Sequence, residues 1–389
     1  MKKIAVITAT RAEYGLLAPL IRRMSESSEI KPFLVVSGTH LLEKYGNTVK
    51  YIEKDGFRIS HVVDILDEDY DGSEIRAAEA IGRAVTGMAD ILMKEAYDAI
   101  IVLGDRFELL GFCDAAVICR IPIIHIHGGE ITEGAVDDKI RHSITKLASI
   151  HFPSIQEYAD RIIQMGEDPQ NVYPVGALGI DNIKKLKLMT KEELLTDLEI
   201  HTERQIAAVT FHPVTTLSRK EAVKETQEVM EALLDLGVYS VVTMPNSDVG
   251  GDEVFERILY FAENHPDRMC IKKSLGQTRY LSLLGHADIM VGNSSSGILE
   301  SASFRLPTVD IGDRQKGRFA PVNVIHCDCR KDEILKAMKT GLSEDFKKSL
   351  TGCENVYGDG NTAEKIVSIL EEIDLNEKRY ISKSFFDMH

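Results

Sequence analysis

The sequence predicts an α/β protein built from two doubly wound parallel-sheet domains. Three observations point there. Short apolar, β-branched runs recur along the 389 residues, most followed by a stretch of helical apolar periodicity. Most runs break abruptly into polar or glycine-rich residues, as strands do at the carboxyl ends of a parallel sheet, where ligands bind. The alternation restarts after a charged, strand-poor interval, and the length suits two or three domains of about 100–200 residues.

The elements follow in order. Lys3–Thr8 is the first strand, and Tyr14 to about Met24 an amphipathic helix. Lys31–Ser37 is the second strand, turning through Gly38-Thr39-His40. A long helix covers Glu74 to about Glu95. Ile100–Leu103 and Ile121–Ile126 read as strands buried on both faces, with Glu108–Cys119 as the helix between them. His151-Phe152, a helix over Ile155–Gln164 and a strand over Val172–Val175 complete the first series. Gly176–Thr202 is mixed helical and charged, with no strong strand, and reads as a hinge. Strands over Gln205–Thr210, Ser240–Met244, Met269–Lys272, Ile289–Gly292 and Thr308–Ile311 follow. Helices over Lys220–Leu236, Gln277–His286 and Ile298–Phe304 separate them, and the tail from about Thr362 is helical. The expected architecture is two Rossmann-like domains facing each other across a cleft. The first spans residues 1–177 with acid/base residues and the second 178–361 with the phosphate-binding residues. Residues 362–389 form a helix and tail, read as packing back on the first domain.

Composition excludes several classes. A hydrophobic fraction of 44% with 28% charged residues is that of a well-cored globular chain. A net charge of −15 opposes nucleic acid and anionic membranes as partners, while local arginines still suit an anionic small ligand. The six cysteines are scattered among apolar residues and read as reduced core residues. The first apolar run stops at Thr8 and meets Arg11 and Glu13, so it reads as a strand and not as a signal peptide. No apolar run reaches the roughly 18 residues of a membrane span, and a cytoplasmic protein is expected.

The polar residues past each strand carry the chemistry. Thr8–Gly15 is a strand-to-helix turn whose free N–H groups, with Arg11, suit an anion; the glycine fingerprint of nicotinamide-binding folds is missing there. Asn293-Ser294-Ser295-Ser296-Gly297 offers amides and three hydroxyls for a phosphate, without the lysine of a nucleotide-hydrolysing loop. Glu300 beyond it suits ribose hydroxyls or simply a helix N-terminus, and Arg314 and Arg318 suit a diphosphate. His212, at a strand end before Pro213, is a donor for a leaving phosphate. Asp105, Glu130, Asp137 and Asp138 fit a general acid and base, with the roles unassigned. His125, His127, Glu130 and His142 have the chemistry of a metal set, but Arg106 and Arg141 beside them would repel a dication; no metal or cofactor is expected.

Taken together, TATRAEYG, GDRFE, HIHGGE, DDKIRHSITKLA, FHPVTT, MPNSDVGG, GNSSSG and GDRQKGR, in order from residue 8 to about 318, resemble the UDP-N-acetylglucosamine 2-epimerase family. The likeness is nearest to its hydrolysing branch in bacterial sialic-acid synthesis. The resemblance implies a GT-B-type fold, a UDP-sugar substrate, UDP as product and a homodimer. It also implies conversion of UDP-N-acetylglucosamine and water to N-acetylmannosamine and UDP through a 2-acetamidoglucal. By position, Arg11, Ala12, Arg106, His212, Asn246, Ser294, Ser295, Glu300 and Arg314 match substrate and nucleotide contacts, and Asp105, Glu130 and Asp137 match the proton-transfer carboxylates. Many hydrolysing members carry HIEGGE where this chain has His127, so either His127 takes over acid/base work or Glu130 and Asp137 suffice. The alternatives are the same chemistry on a UDP- or GDP-linked 2,4-diacetamido-2,4,6-trideoxyglucose, a glycosyltransferase on this fold, and a non-catalytic nucleotide-sugar sensor.

Overall fold

The structure is a computed structural model and describes every residue except 133–135, 213–218, 244–250, 273–274 and 389, with backbone alone at 251–252. The chain forms two compact units, Met1–Asn182 with Tyr357–His389, and Ile183–Val356.

In the first unit the β-branched runs form six parallel strands: β1 (Lys2–Thr8), β2 (Ile30–Ser37), β3 (Ile59–Val63), β4 (Ala99–Leu103), β5 (Ile123–Ile126) and β6 (Ile150–Phe152). Their order is β3-β2-β1-β4-β5-β6. Alternate residues feed opposite cores, because successive side chains of a strand point to opposite faces. Ile4 and Val6 join one core with Leu17, Leu20 and Met24 of the helix Arg11–Glu26, while Ala5 and Ile7 join the other. That second core is closed by the helices Glu74–Lys94, Phe107–Ile118 and Val136–Leu147, through Ala84, Met88, Phe112 and Ile144.

The tail helix Thr362–Glu372 belongs to the first core through Ile366, Val367 and Leu370, each fully buried. Burying a side chain of this size stabilises by about 1.5–3 kcal/mol. Asp181 accepts hydrogen bonds from the N–H groups of Thr362 and Ala363, both at 2.8 Å, and so caps that helix. Tyr357 and Tyr158 share a buried hydroxyl hydrogen bond of 2.9 Å. These bonds carry the unit boundaries to 182 and 357, a few residues from the 177 and 361 expected from the sequence.

The second unit repeats the plan with β7 (Ile206–Thr210), β8 (Tyr239–Thr243), β9 (Met269–Lys272), β10 (Ile289–Gly292), β11 (Thr308–Ile311) and β12 (Val324–Cys327). All are parallel, in the order β12-β11-β10-β7-β8-β9. Helices Arg219–Leu236 and Lys331–Leu342 pack on one face, and Lys191–Asp197 and Gly276–His286 on the other.

Sequence and structure differ in several places, among them the helices Val136–Leu147, Gly251–Asn264 and Lys331–Leu342, which the sequence pattern did not mark. β3 and β12 were not anticipated. Val172–Val175 makes only an isolated bridge, His151 to Val172: Tyr173 and Val175 donate to His151 O and Pro153 O, but Pro153 has no N–H to return a bond to the strand. The interval Gly176–Thr202 holds two helices, Leu178–Lys185 and Lys191–Asp197, and no strand, as its mixed helical pattern suggests. The helix expected over Ile298–Phe304 is a single α-turn, Ser296–Leu299, followed by a 3-10 turn, Ser301–Phe304. Among the described residues no helix is long and apolar enough to cross a membrane.

Candidate active site

Each sheet reverses its strand order once, between β1 and β4 in the first unit and between β7 and β10 in the second. Adjacent connections diverge at such a point and leave room for a ligand at the carboxyl ends. The sequence-predicted residues cluster around these two points, and each unit has its own set.

In the first unit Thr10 caps the helix Arg11–Glu26. Its hydroxyl accepts from the Glu13 N–H at 3.4 Å, and the Glu13 carboxylate accepts from Ala9 N–H at 3.1 Å and the Thr10 hydroxyl at 3.2 Å. Arg11 and Ala12 are exposed at the first turn, and the Arg11 guanidinium lies 4.5 Å from the Tyr51 ring centroid. Arg106 follows β4. Its Nε and Nη2 donate to the fully buried Glu108 at 3.1 and 2.6 Å, leaving Nη1 without a hydrogen bond among the described residues. Burial pushes the Glu13 carboxyl up to about 7, against the pull of the Arg106 charge.

The carboxylates gather around an arginine that the sequence reading used only as an argument against a metal. Arg141, on the helix Val136–Leu147, is buried. It donates to Asp105 Oδ2, to Glu130 O at 3.0 Å, to Thr132 Oγ1 at 3.1 Å and to Asp138 Oδ1 at 3.2 Å. Asp138 also accepts from Thr132 N–H at 2.9 Å, so it holds the loop. Burial raises the Asp105 carboxyl above the usual range; Arg141 pulls it back, and the charges of Asp137 and Glu130 push it up further. Asp137 itself is exposed.

Glu130 is positioned by the glycines before it. Gly129 has φ +78°, and a Cβ there would lie 2.4 Å from Tyr158 O, so only glycine fits. His127 adopts φ +62°, a left-handed conformation that costs a non-glycine residue about 1–2 kcal/mol. Its Nε2 accepts from the Leu178 N–H at 3.4 Å, which leaves the proton on Nδ1, 3.4 Å from Glu130 Oε1. His125 donates from Nε2 to Gly104 O at 2.8 Å and contacts Thr145 Oγ1 through Nδ1 at 3.2 Å. Burial drives it down to about 3, so it is a neutral strut. Among the described residues no three His, Cys, Asp or Glu side chains gather as a metal site.

In the second unit β10 runs so close to β7 that a Cβ on Gly292, at φ +145°, would sit 1.9 Å from Thr210 O. The fully buried Asn293 side chain then brackets the His212 backbone, accepting its N–H at 2.8 Å and donating to its O at 2.9 Å. Arg314 Nη1 and Gln315 Nε2 donate to Asn293 O at 3.1 and 2.8 Å. His212, the Ser294–Ser295 loop and the Arg314 loop are thereby tied together. Ser296 Oγ donates to Glu300 at 2.5 Å and accepts from the Tyr280 hydroxyl at 2.7 Å. Burial raises the Glu300 carboxyl, and the Ser296 hydrogen bond opposes it. Asn246 lies outside the described residues.

Asp105, Glu130, Asp137 and His127 therefore form one group, and His212, Ser294, Ser295, Glu300 and Arg314 another. Arg11 and Ala12 stand at the end of β1, beside the Arg106 network. Sequence reasoning missed Arg141, Glu108, Tyr280 and the structural use of Glu13. The spacing Thr10-x-x-Glu13 is a capping box in outline, and Asp138 and Arg141 are three apart on a helix, so two of these were within reach.

Two doubly wound parallel sheets, each with its polar residues at the strand reversal, define the GT-B class of fold. A UDP-GlcNAc 2-epimerase of Neisseria meningitidis, crystallised with UDP-GlcNAc, has the same fold, with a TM-score of 0.73 at 17% identity, covering 95% of this chain and 99% of that one. The chain belongs to the UDP-N-acetylglucosamine 2-epimerase family, which it matches over residues 22–371. It is 36% identical over 379 residues to the hydrolysing UDP-N,N'-diacetylbacillosamine 2-epimerase of Legionella pneumophila, covering 97% of this chain and 98% of that protein. It is 35% identical over 390 residues to an Escherichia coli protein named for polysialic acid biosynthesis, covering 100% and 98%.

Proposed function

We propose that this protein is a hydrolysing 2-epimerase that takes a UDP-linked 2-acetamido sugar and water to UDP and the free 2-epimer. The observation that carries the reading is that Asp105, bonded to buried Arg141, lies within reach of the charges of Glu130 and Asp137, in a chain of this family.

The chemistry asks for two proton transfers. A carboxylate removes the C2 proton while the C1–O bond breaks, the electron pair leaves with the diphosphate, and a glucal remains. Water then adds across the double bond, with hydroxyl to C1 and a proton to C2 from the opposite face. C2–H is weakly acidic, so stabilising the leaving diphosphate governs the rate. The first unit supplies the transfers: Asp105, Glu130 and Asp137 are the proton carriers, and His127 backs Glu130. The second unit holds the nucleotide through His212, Asn246, Ser294, Ser295, Glu300 and Arg314. Arg11, Ala12 and Arg106 add contacts at the β1 and β4 ends.

The leading substrate is UDP-N-acetylglucosamine, giving N-acetylmannosamine for sialic-acid synthesis, and the Escherichia coli relative supports it. UDP-N,N'-diacetylbacillosamine is a second reading, supported by the Legionella relative at 36% identity. Incubation with each nucleotide in deuterated water and EDTA, followed by proton NMR, decides. Free 2-epimer deuterated at C2, with UDP, is expected from one of them. Release of a UDP-linked 2-epimer, or no exchange at C2 with either nucleotide, would overturn the hydrolysing reading. A homodimer belongs to the same proposal and is checked by light scattering.

A further inference from the structure

We infer that Arg141 is a positioning residue that holds Asp105 ionised and aimed, and so sets the acid limb of the pH–rate profile. The inference rests on the proposed reaction for its kinetic part, and on geometry alone for its electrostatic part.

A surface arginine would be a solvated charge. Arg141 instead spends its guanidinium on four partners from three places in the fold. They are Asp105 beyond β4, Glu130 O and Thr132 beyond β5, and Asp138 one turn back on its own helix. Asp138 is committed in turn, through the Thr132 N–H and through His142, whose Nε2 lies 3.5 Å away. A buried cation requires a compensating anion, and both carboxylates on Arg141 are held against it. The arrangement fixes where Asp105 points relative to Glu130 and to the helix bearing Asp137.

The charges around Asp105 are divided. Arg141 favours its ionised form. Asp137, on the Arg141 helix, and Glu130, on the loop after β5, oppose it. His127 faces Glu130 and His142 faces Asp138, while His125 is a neutral strut on Gly104 O. Arg106, next in the chain, is turned to Glu108. Arg141 is thus the one cation bonded to Asp105 among the described residues. A fixed cation on Asp105, opposed by the charges of Asp137 and Glu130, separates its titration from that of a carboxylate without such a partner. That separation is what a reaction needing a base and an acid requires.

The test reads Asp105 directly. Enzyme carrying carboxyl-labelled aspartate is titrated by carbon-13 NMR, with D105N identifying the resonance, in wild type, R141Q, R141K and D137N. R141Q should move the Asp105 titration up by about one pH unit or more, and D137N should move it down. The acid limb of kcat should follow the R141Q shift, with KM changed less than about threefold. R141K keeps the charge and loses the fork, so its titration stays near wild type while kcat falls. An Asp105 titration unmoved in R141Q, or a kcat lowered equally at every pH, would overturn the inference. Should R141Q not fold, D137N and R141K carry the decision, and an unmoved titration in D137N refutes the charge balance. If the wild type turned over neither nucleotide, the functional reading would fall, while the NMR titration would still decide the hold of Arg141 on Asp105.

Discussion

Replacing Glu13 by glutamine should change how stability depends on pH. Glu13 is 5% exposed, and its Oε1 has no hydrogen-bond partner among the described residues. Burial outweighs the opposing Arg106 charge and raises its pKa from 4.5 to about 7. The folded state therefore binds this proton more tightly than the unfolded chain does. The contribution is fully present below about pH 4.5 and is lost as pH rises through about 7, the reverse of an ordinary ion-paired carboxylate. A rise of that size corresponds to about 3 kcal/mol. Glutamine retains a carbonyl to accept from Ala9 and Thr10 but cannot ionise. E13Q should therefore gain about 3 kcal/mol relative to wild type between about pH 4 and about pH 8.5. Urea denaturation followed by far-UV circular dichroism at the two pH values measures the difference. An equal difference between E13Q and wild type at both would refute the reasoning, because burial of an ionising Glu13 would then contribute nothing.

Three further outcomes are expected. D105N should lower turnover by about a thousandfold while UDP affinity, measured by calorimetry, stays within about threefold; unchanged turnover would remove Asp105 from the proton carriers. N293A strips both hydrogen bonds from the buried His212 backbone and should cost about 1–3 kcal/mol of stability together with a weaker UDP affinity, whereas loss of stability alone would separate His212 from the nucleotide. G292A places a methyl group against Thr210 O and should destabilise by about 3 kcal/mol or more; a melting temperature equal to wild type would show that β7 and β10 can part without penalty.

The central strands were legible because strands covered on both faces are uniformly apolar, and Ile100–Leu103 or Ile289–Gly292 can hardly be read otherwise. β3 and β12 escaped for the opposite reason. They are edge strands, and most residues of Ile59–Val63 and all of Val324–Cys327 keep some exposure, so no apolar run marks them. The site residues were legible by type, since acids, imidazoles and arginines follow strand ends. Their division of labour was not. Asp137 and Asp138 are neighbours of the same chemistry, yet one is exposed and the other is bound to Arg141 and Thr132. Asp105 and Arg141 meet across 36 residues, a pairing that only the order of β4 and β5 creates. His127 takes a backbone conformation unusual for its residue type, which no spacing announces.

The return of residues 357–389 to the first unit has a consequence for how the chain is born. Ile183–Val356 is one contiguous segment and has everything it needs to close its cores as soon as it has left the ribosome. The first unit is synthesised earlier but waits longer, because Ile366, Val367 and Leu370 come last and cover the helix Arg11–Glu26. Until they arrive, Leu17, Leu20 and Met24 lack part of their cover, a natural holding point for a chaperone. The later-made half is thus placed to mature first. A chain cut after Val356 would carry a contiguous second unit tethered to a first unit that lacks the cover of Ile366, Val367 and Leu370.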